Sequence, residues 1–163
     1  MYVCKDMSFI KMSSWWIYVQ QFPCEMKKCV TIIKLMIGVH KLNSVLYKHK
    51  TCNLPNSLCN LCTSYEEESV SHLLFRCSNF HQKRKKLWKD VEETCPSQIL
   101  LDTINSMNDN NKCTFLLTGL NNSYVCEWTM FYHSIAKFIN TMYQVRLSSD
   151  LDYKPMMSAG WSQ

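Results

Sequence analysis

Glycine and proline are scarce here, three of the first and four of the second in 163 residues. So few turn-forming residues exclude a many-stranded β-sandwich, and a hydrophobic content of 47% excludes a disordered tail. Long apolar runs are missing as well. The longest, Val30 to Val39, is broken by Lys34 and falls far short of the roughly 20 residues needed to span a bilayer. The first twenty positions scatter Lys5, Asp6 and Lys11 and show no apolar block with a small-residue cleavage site, so no secretory leader is read there. The expectation is an intracellular protein, nuclear or cytoplasmic, not secreted and with no membrane partner. Its ten cysteines are then reduced and available to metal rather than paired in a disulfide scaffold.

What is present favours helices. Met26, Cys29, Val30, Ile33 and Ile37 lie on one helical face, with Gly38 placed to end that helix, and a second short helix is expected around Ser44 to Lys50. Thr51 to Ser64 has loop chemistry, with Pro55 and three asparagines. Val70 to Phe75 predicts a helical turn or two. Ser78 is placed to cap a longer helix with Phe80, Leu87 and Val91 inward. Pro96, Ile99, Leu100, Ile104 and Met107 suggest a further helix that ends in a loop at Asn108 to Asn111. Phe115 to Leu117 reads as a brief apolar stretch closed by Gly119. Ser123 then caps the longest helix, whose Trp128, Phe131, Tyr132, Ile135, Phe138, Ile139 and Met142 recur at helical spacing for a core. The expected fold is mostly α, with a small irregular zinc-stapled module embedded in a helical domain. Along the chain this gives an unassigned segment 1–25, a helical lead-in 26–50, the zinc module with its basic helix 51–95, C-terminal helices 96–147 and a polar tail 148–163.

The zinc expectation comes from spacing. Cys59-Asn-Leu-Cys62 supplies two thiolates from one tight turn, and a second pair from a distant segment would close a tetrahedral site. With ten cysteines, one such pair arises by accident, so the second half carries the weight. His72 and Cys77 stand at His-x4-Cys spacing after a nine-residue connection from Cys62. His81, four residues beyond Cys77, is the competing nitrogen ligand, and Cys52 is a fifth candidate. The plain alternative is that Cys59, Cys62 and Cys77 are ordinary buried thiols. Cys4, Cys24, Cys29, Cys95, Cys113 and Cys126 have no partner at ligand spacing. A complete four-ligand site would be structural, since it leaves no open position for water.

These residues resemble the C-terminal zinc-binding region of LINE-type, non-LTR retrotransposon reverse transcriptases. The similarity runs over Cys59-Asn-Leu-Cys62, the acidic Glu66 to Glu68, His72-Leu-Leu-Phe-Arg-Cys77, and then Arg84 and Leu87. Upstream, Lys34-Leu35 with Gly38-Val39-His40 and Leu42 is similar to the Leu-Arg-x-Gly run before the family's zinc motif. Downstream, Phe115 to Leu117 and Phe138-Ile139 through Tyr143 and Arg146 look like its closing helices. The resemblance spans roughly residues 34–146, and its Cys/His set is the specific part. It implies that Cys59, Cys62, His72 and Cys77 are the Zn2+ ligands, favours His72 over His81, and implies RNA or DNA as partner beside a reverse transcriptase. No Asp-Asp dipeptide is present, so the polymerase metal site is missing, as are an endonuclease constellation and a nucleotide-binding glycine loop. The chain is therefore expected to be no enzyme and to correspond to a detached or remnant tail of such a polyprotein.

The net charge of +5 is mild, but it is concentrated in Lys83, Arg84, Lys85, Lys86 and Lys89, beside the zinc set. That run is expected to contact phosphates, although an isolated basic run is also what a solvated helix face looks like. The alternative function is a protein-interaction domain whose zinc only shapes a scaffold, with Trp88 or the aromatic N-terminus docking on a partner.

Overall fold

The computed structural model describes residues 14–50, 56–119 and 128–152, with side chains as far as Ser149. Seven α-helices carry these residues: α1 (Ser14–Gln21), α2 (Met26–Met36), α3 (Asn43–Lys48), α4 (His81–Glu93), α5 (Gln98–Ser106), α6 (Asp109–Thr118) and α7 (Thr129–Asp152). Among the described residues there is no strand, only an isolated antiparallel bridge between Leu58 and Glu67. No helix among them is long and apolar enough to cross a membrane.

The core forms around α7, which packs along α2 on one side and α4 on another. Phe131, Tyr132, Ile135, Phe138, Ile139 and Met142 are all buried, as their spacing predicts, and Trp128 packs half-buried at the edge. The helix also continues beyond Arg146 through Asp152, so the first residues of the expected polar tail are helical. Arg146 itself is buried, and its guanidinium bonds both carboxylate oxygens of Glu68, with Nη2 to Oε2 at 3.0 Å. The same Glu68 oxygen accepts the Asn43 backbone N–H at 2.7 Å. One ion pair therefore joins the start of α3, the segment around Glu68 and α7.

Several expectations need correction. The unassigned N-terminal segment contains α1, whose Trp15 and Tyr18 are fully buried and pack on Tyr132 with ring centroids 5.1 and 5.8 Å away. Two helical turns are too few for a clean period, which is why the aromatics alone did not declare the helix. On α2 the buried residues are Cys29, Thr31, Ile32 and Leu35, while Met26, Val30 and Ile37 remain exposed. That helix carries two apolar stripes, and only the positions of its neighbours decide which one is covered. Gly38 does end α2, with a positive φ of 73° and Val39 N–H returning to the Lys34 carbonyl at 2.9 Å.

Asn108 to Asn111 is not a loop: the Asn108 side chain accepts the Asn111 N–H at 2.9 Å and opens α6, whose last turns are the supposed apolar stretch. Gly119 ends it at φ 77°, where a Cβ would lie 1.9 Å from Ser14 Oγ, so α1 and α6 meet at a point that only glycine allows. Ser78 makes no side-chain cap; it begins a single 3-10 turn ahead of α4. Phe80, Leu87 and Val91 point inward as expected, whereas Ile99 at the head of α5 is exposed. The expected Ser123 cap and Cys4, Cys52 and Cys126 lie outside the described residues.

Candidate metal centre

The centre is assembled from a short hairpin and a turn of π-helix. In the hairpin, Cys59 N–H bonds the Glu66 carbonyl and Glu68 N–H bonds the Ser57 carbonyl, both at 2.9 Å, so the chain reverses between Cys59 and Glu66. Tyr65, at φ 55°, completes that reversal. Cys59 and Cys62 are carried on its first half, with the Cys59 side buried. The second half of the centre lies on His72–Arg76, a π-turn closed by Cys77 N–H to the His72 carbonyl at 2.8 Å. Residues five apart on an α-helix diverge by about 140°. The wider i to i+5 closure brings His72 and Cys77 onto one side instead.

The ligand atoms of Cys59, Cys62, His72 and Cys77 lie within 4.8 Å of one another. Cys59 and Cys77 sulfurs are 4.0 Å apart, and Cys62 Sγ is 3.4 Å from His72 Nε2. Ideal tetrahedral zinc requires separations of about 3.8 Å between sulfurs and about 3.6 Å between sulfur and nitrogen, from Zn–S near 2.3 Å and Zn–N near 2.05 Å. The donor set and its spacing fit that ion. His81 is exposed on the first turn of α4 and does not join the group.

The imidazole of His72 lies between a carboxylate and the sulfurs. His72 Nδ1 faces Glu66 Oε2 at 3.2 Å, and Arg76 Nε donates to the same oxygen at 3.0 Å. With its proton on Nδ1 toward that carboxylate, the ring would turn the Nε2 lone pair to the sulfurs, the carboxylate–histidine arrangement seen at zinc sites generally. Ser69 Oγ accepts the His72 backbone N–H at 3.1 Å and Ser64 Oγ lies 3.0 Å from Cys62 Sγ. Between the two buried thiols, the hydrogen bond holds Cys77 below the ordinary thiol range and, with burial, pushes Cys59 well above it. Sulfurs that crowd closely enough to share a proton are placed to share a cation instead. Glu66 was not singled out in the sequence, because an acid within Glu66-Glu67-Glu68 looks like its neighbours until the hairpin aims it.

The basic run divides. Lys83, Lys85, Lys86 and Lys89 are exposed, with Lys89 paired to Glu93 at 3.3 Å. Arg84 is half-buried and donates from Nη1 to the Cys77 carbonyl at 3.1 Å, so it ties α4 to the turn that carries His72 and Cys77. Among the described residues the remaining cysteines, Cys24, Cys29, Cys95 and Cys113, are free thiols apart from the centre. Comparison of the chain with protein-family models, with curated proteins and with solved structures finds no match to any of them.

Proposed function

We propose that this chain is a zinc-stapled, nucleic-acid-binding accessory module, resembling the tail of a LINE-type reverse transcriptase and performing no polymerase chemistry of its own. The observation that carries the reading is the tetrahedral-sized Cys59, Cys62, His72 and Cys77 cluster, tied through Arg84 to a helix that exposes Lys85, Lys86 and Lys89 on its outer face and Lys83 at its flank. Zinc fixes the hairpin and π-turn, these orient α4, and α4 offers a rigid row of cations to a phosphate backbone. Such contacts position without reading sequence. The single-step test begins with elemental analysis of freshly purified, reduced protein, which should show one zinc per chain. RNA and DNA affinities across a salt series should then fall steeply. Changing Lys83, Lys85, Lys86 and Lys89 together to Gln should flatten the log–log slope by about 0.9 per lost contact on duplex and about 0.7 on single strands. Zinc-free folded protein, or a slope indifferent to the four changes, would sink the proposal.

A second reading, a zinc-scaffolded protein-interaction domain, is favoured by one feature. Met26, Val30 and Ile37 expose an apolar stripe along α2, continued by Val39, which is 60% exposed. A zinc-loaded protein that binds no nucleic acid at low salt would shift preference to it.

A further inference from the structure

Beside the lysine face, a cleft of about 250 Å³ opens between α4 and the first turn of α6. Its floor is aromatic and its rim is basic. Phe75 and Trp88 give it aromatic faces, His81, Arg84, Lys85 and Lys112 stand around them, and Asp109 supplies the one carboxylate. The indole is braced by near-perpendicular contacts, with Phe75 at 5.8 Å and 84° and Phe138 at 5.3 Å and 67°, so its plane is set by the core. Lys112 Nζ stands over both floor rings, 5.5 Å from the Phe75 centroid and 5.8 Å from that of Trp88. An ammonium over a ring marks a face that hydrocarbon does not cover. Ring faces beside cations are what a single-stranded polynucleotide needs, since every unpaired base has a π-face and every linkage a charge.

We propose that this cleft is a subsite for one unpaired base of a single-stranded nucleic acid, stacked on Trp88, with the adjoining phosphate held by Lys85 and Lys112. The inference rests on the nucleic-acid reading above and makes it specific: the preferred partner is a single strand. A duplex presents only base edges and backbone, since its base faces are stacked on one another and closed to the indole. Incoming phosphate draws Lys112 off the indole, and the vacated face accepts the base. Asp109 can accept from an exocyclic amino group, a contact no phosphate could make.

The test compares a pyrimidine single strand with its own duplex at one fixed salt concentration, using zinc-loaded full-length protein. Trp88→Leu should weaken single-strand binding by roughly five- to a hundredfold, the range for losing one stacked base, and leave the duplex unchanged. Trp88→Phe should restore most of the single-strand affinity, and zinc content, helicity and duplex binding should be the same in both variants, whereas a merely structural role would move those as well. Lys112→Gln, a change outside the core, supplies an independent arm should Trp88→Leu fail to fold, and should weaken the single strand by several-fold. In the unmodified protein, photocrosslinking to a 5-iodouracil strand should map to the peptides containing Trp88 or Phe75. Equal losses on both substrates, no loss in either variant, or crosslinks elsewhere would overturn the subsite while leaving the phosphate-contacting helix standing. Absence of binding by the unmodified protein to either substrate would overturn both.

Discussion

His72 shows how much a single residue owes to its second neighbour. The ring has two nitrogens, and a metal needs the unprotonated one turned inward. Glu66, 3.2 Å from Nδ1 and itself held by Arg76, is placed to accept a proton from Nδ1 and so to favour that tautomer. Replacing Glu66 by Gln keeps the shape but removes the charge that favours a proton on Nδ1. Zinc affinity should fall by about 10- to 100-fold, the usual scale for an outer-shell partner, with helicity unchanged at saturating zinc. Competition with a chromophoric chelator measures it, and an affinity equal to that of the unmodified protein would deny Glu66 this role. With the resemblance preferring His72 to His81 as their companion, the three cysteines of the cluster could be picked out from residue type and spacing. Glu66 could not, because its meaning depends on where a hairpin points it.

Between elements, the Glu68–Arg146 pair performs the joining. Both side chains are 1% exposed, and Glu68 also accepts the N–H that begins α3, so hairpin, α3 and α7 share one carboxylate. Burying two charges is expensive, and removing only one leaves the other without compensation. Glu68→Gln should therefore destabilise the zinc-loaded protein by about 3–5 kcal/mol in urea unfolding, far more than an exposed pair such as Lys89–Glu93 would. A loss under about 1 kcal/mol would mean that the guanidinium finds water instead. Helix assignment at this scale was legible wherever a long face repeats, as in α7, and failed where polar residues open a helix. Asn108 to Asn111 has loop composition, yet Asn108 is a favourable cap, and composition cannot distinguish a loop from the start of α6.

For the molecule as a whole, the proposed zinc should matter most to the segment bearing the Cys/His cluster and least to the helices around α7. Residues 56–80 have one β-bridge, a π-turn and a 3-10 turn as regular structure and give Leu73, Leu74 and Phe80 to the apolar cluster, which α2, α4 and α7 otherwise supply in larger part. Chelating the zinc should raise backbone hydrogen exchange first and most strongly at residues 57–80, with α2 and the middle of α7 keeping their protection. Exchange followed by mass spectrometry would show this. Uniform loss of protection would mean that the metal holds the whole fold, and no change would mean that it holds none of it.

The sequence by itself determined what depends on short-range pattern. It yields a mostly helical chain, the buried seam of α7, the end of α2 at Gly38 and the three cysteines of the Cys/His set, because periodicity, a positive φ and ligand spacing are properties of neighbouring residues. Tertiary structure alone decided the rest. Which apolar stripe of α2 is covered, how Arg84 turns from the lysine row to the Cys77 carbonyl, and why Lys112 stands over Trp88 all depend on segments far apart in the chain meeting in space. The choice of His72 over His81 belongs to both: spacing allowed either, and the π-turn brought only His72 to the sulfurs, since its i to i+5 closure sets that ring and Cys77 side by side.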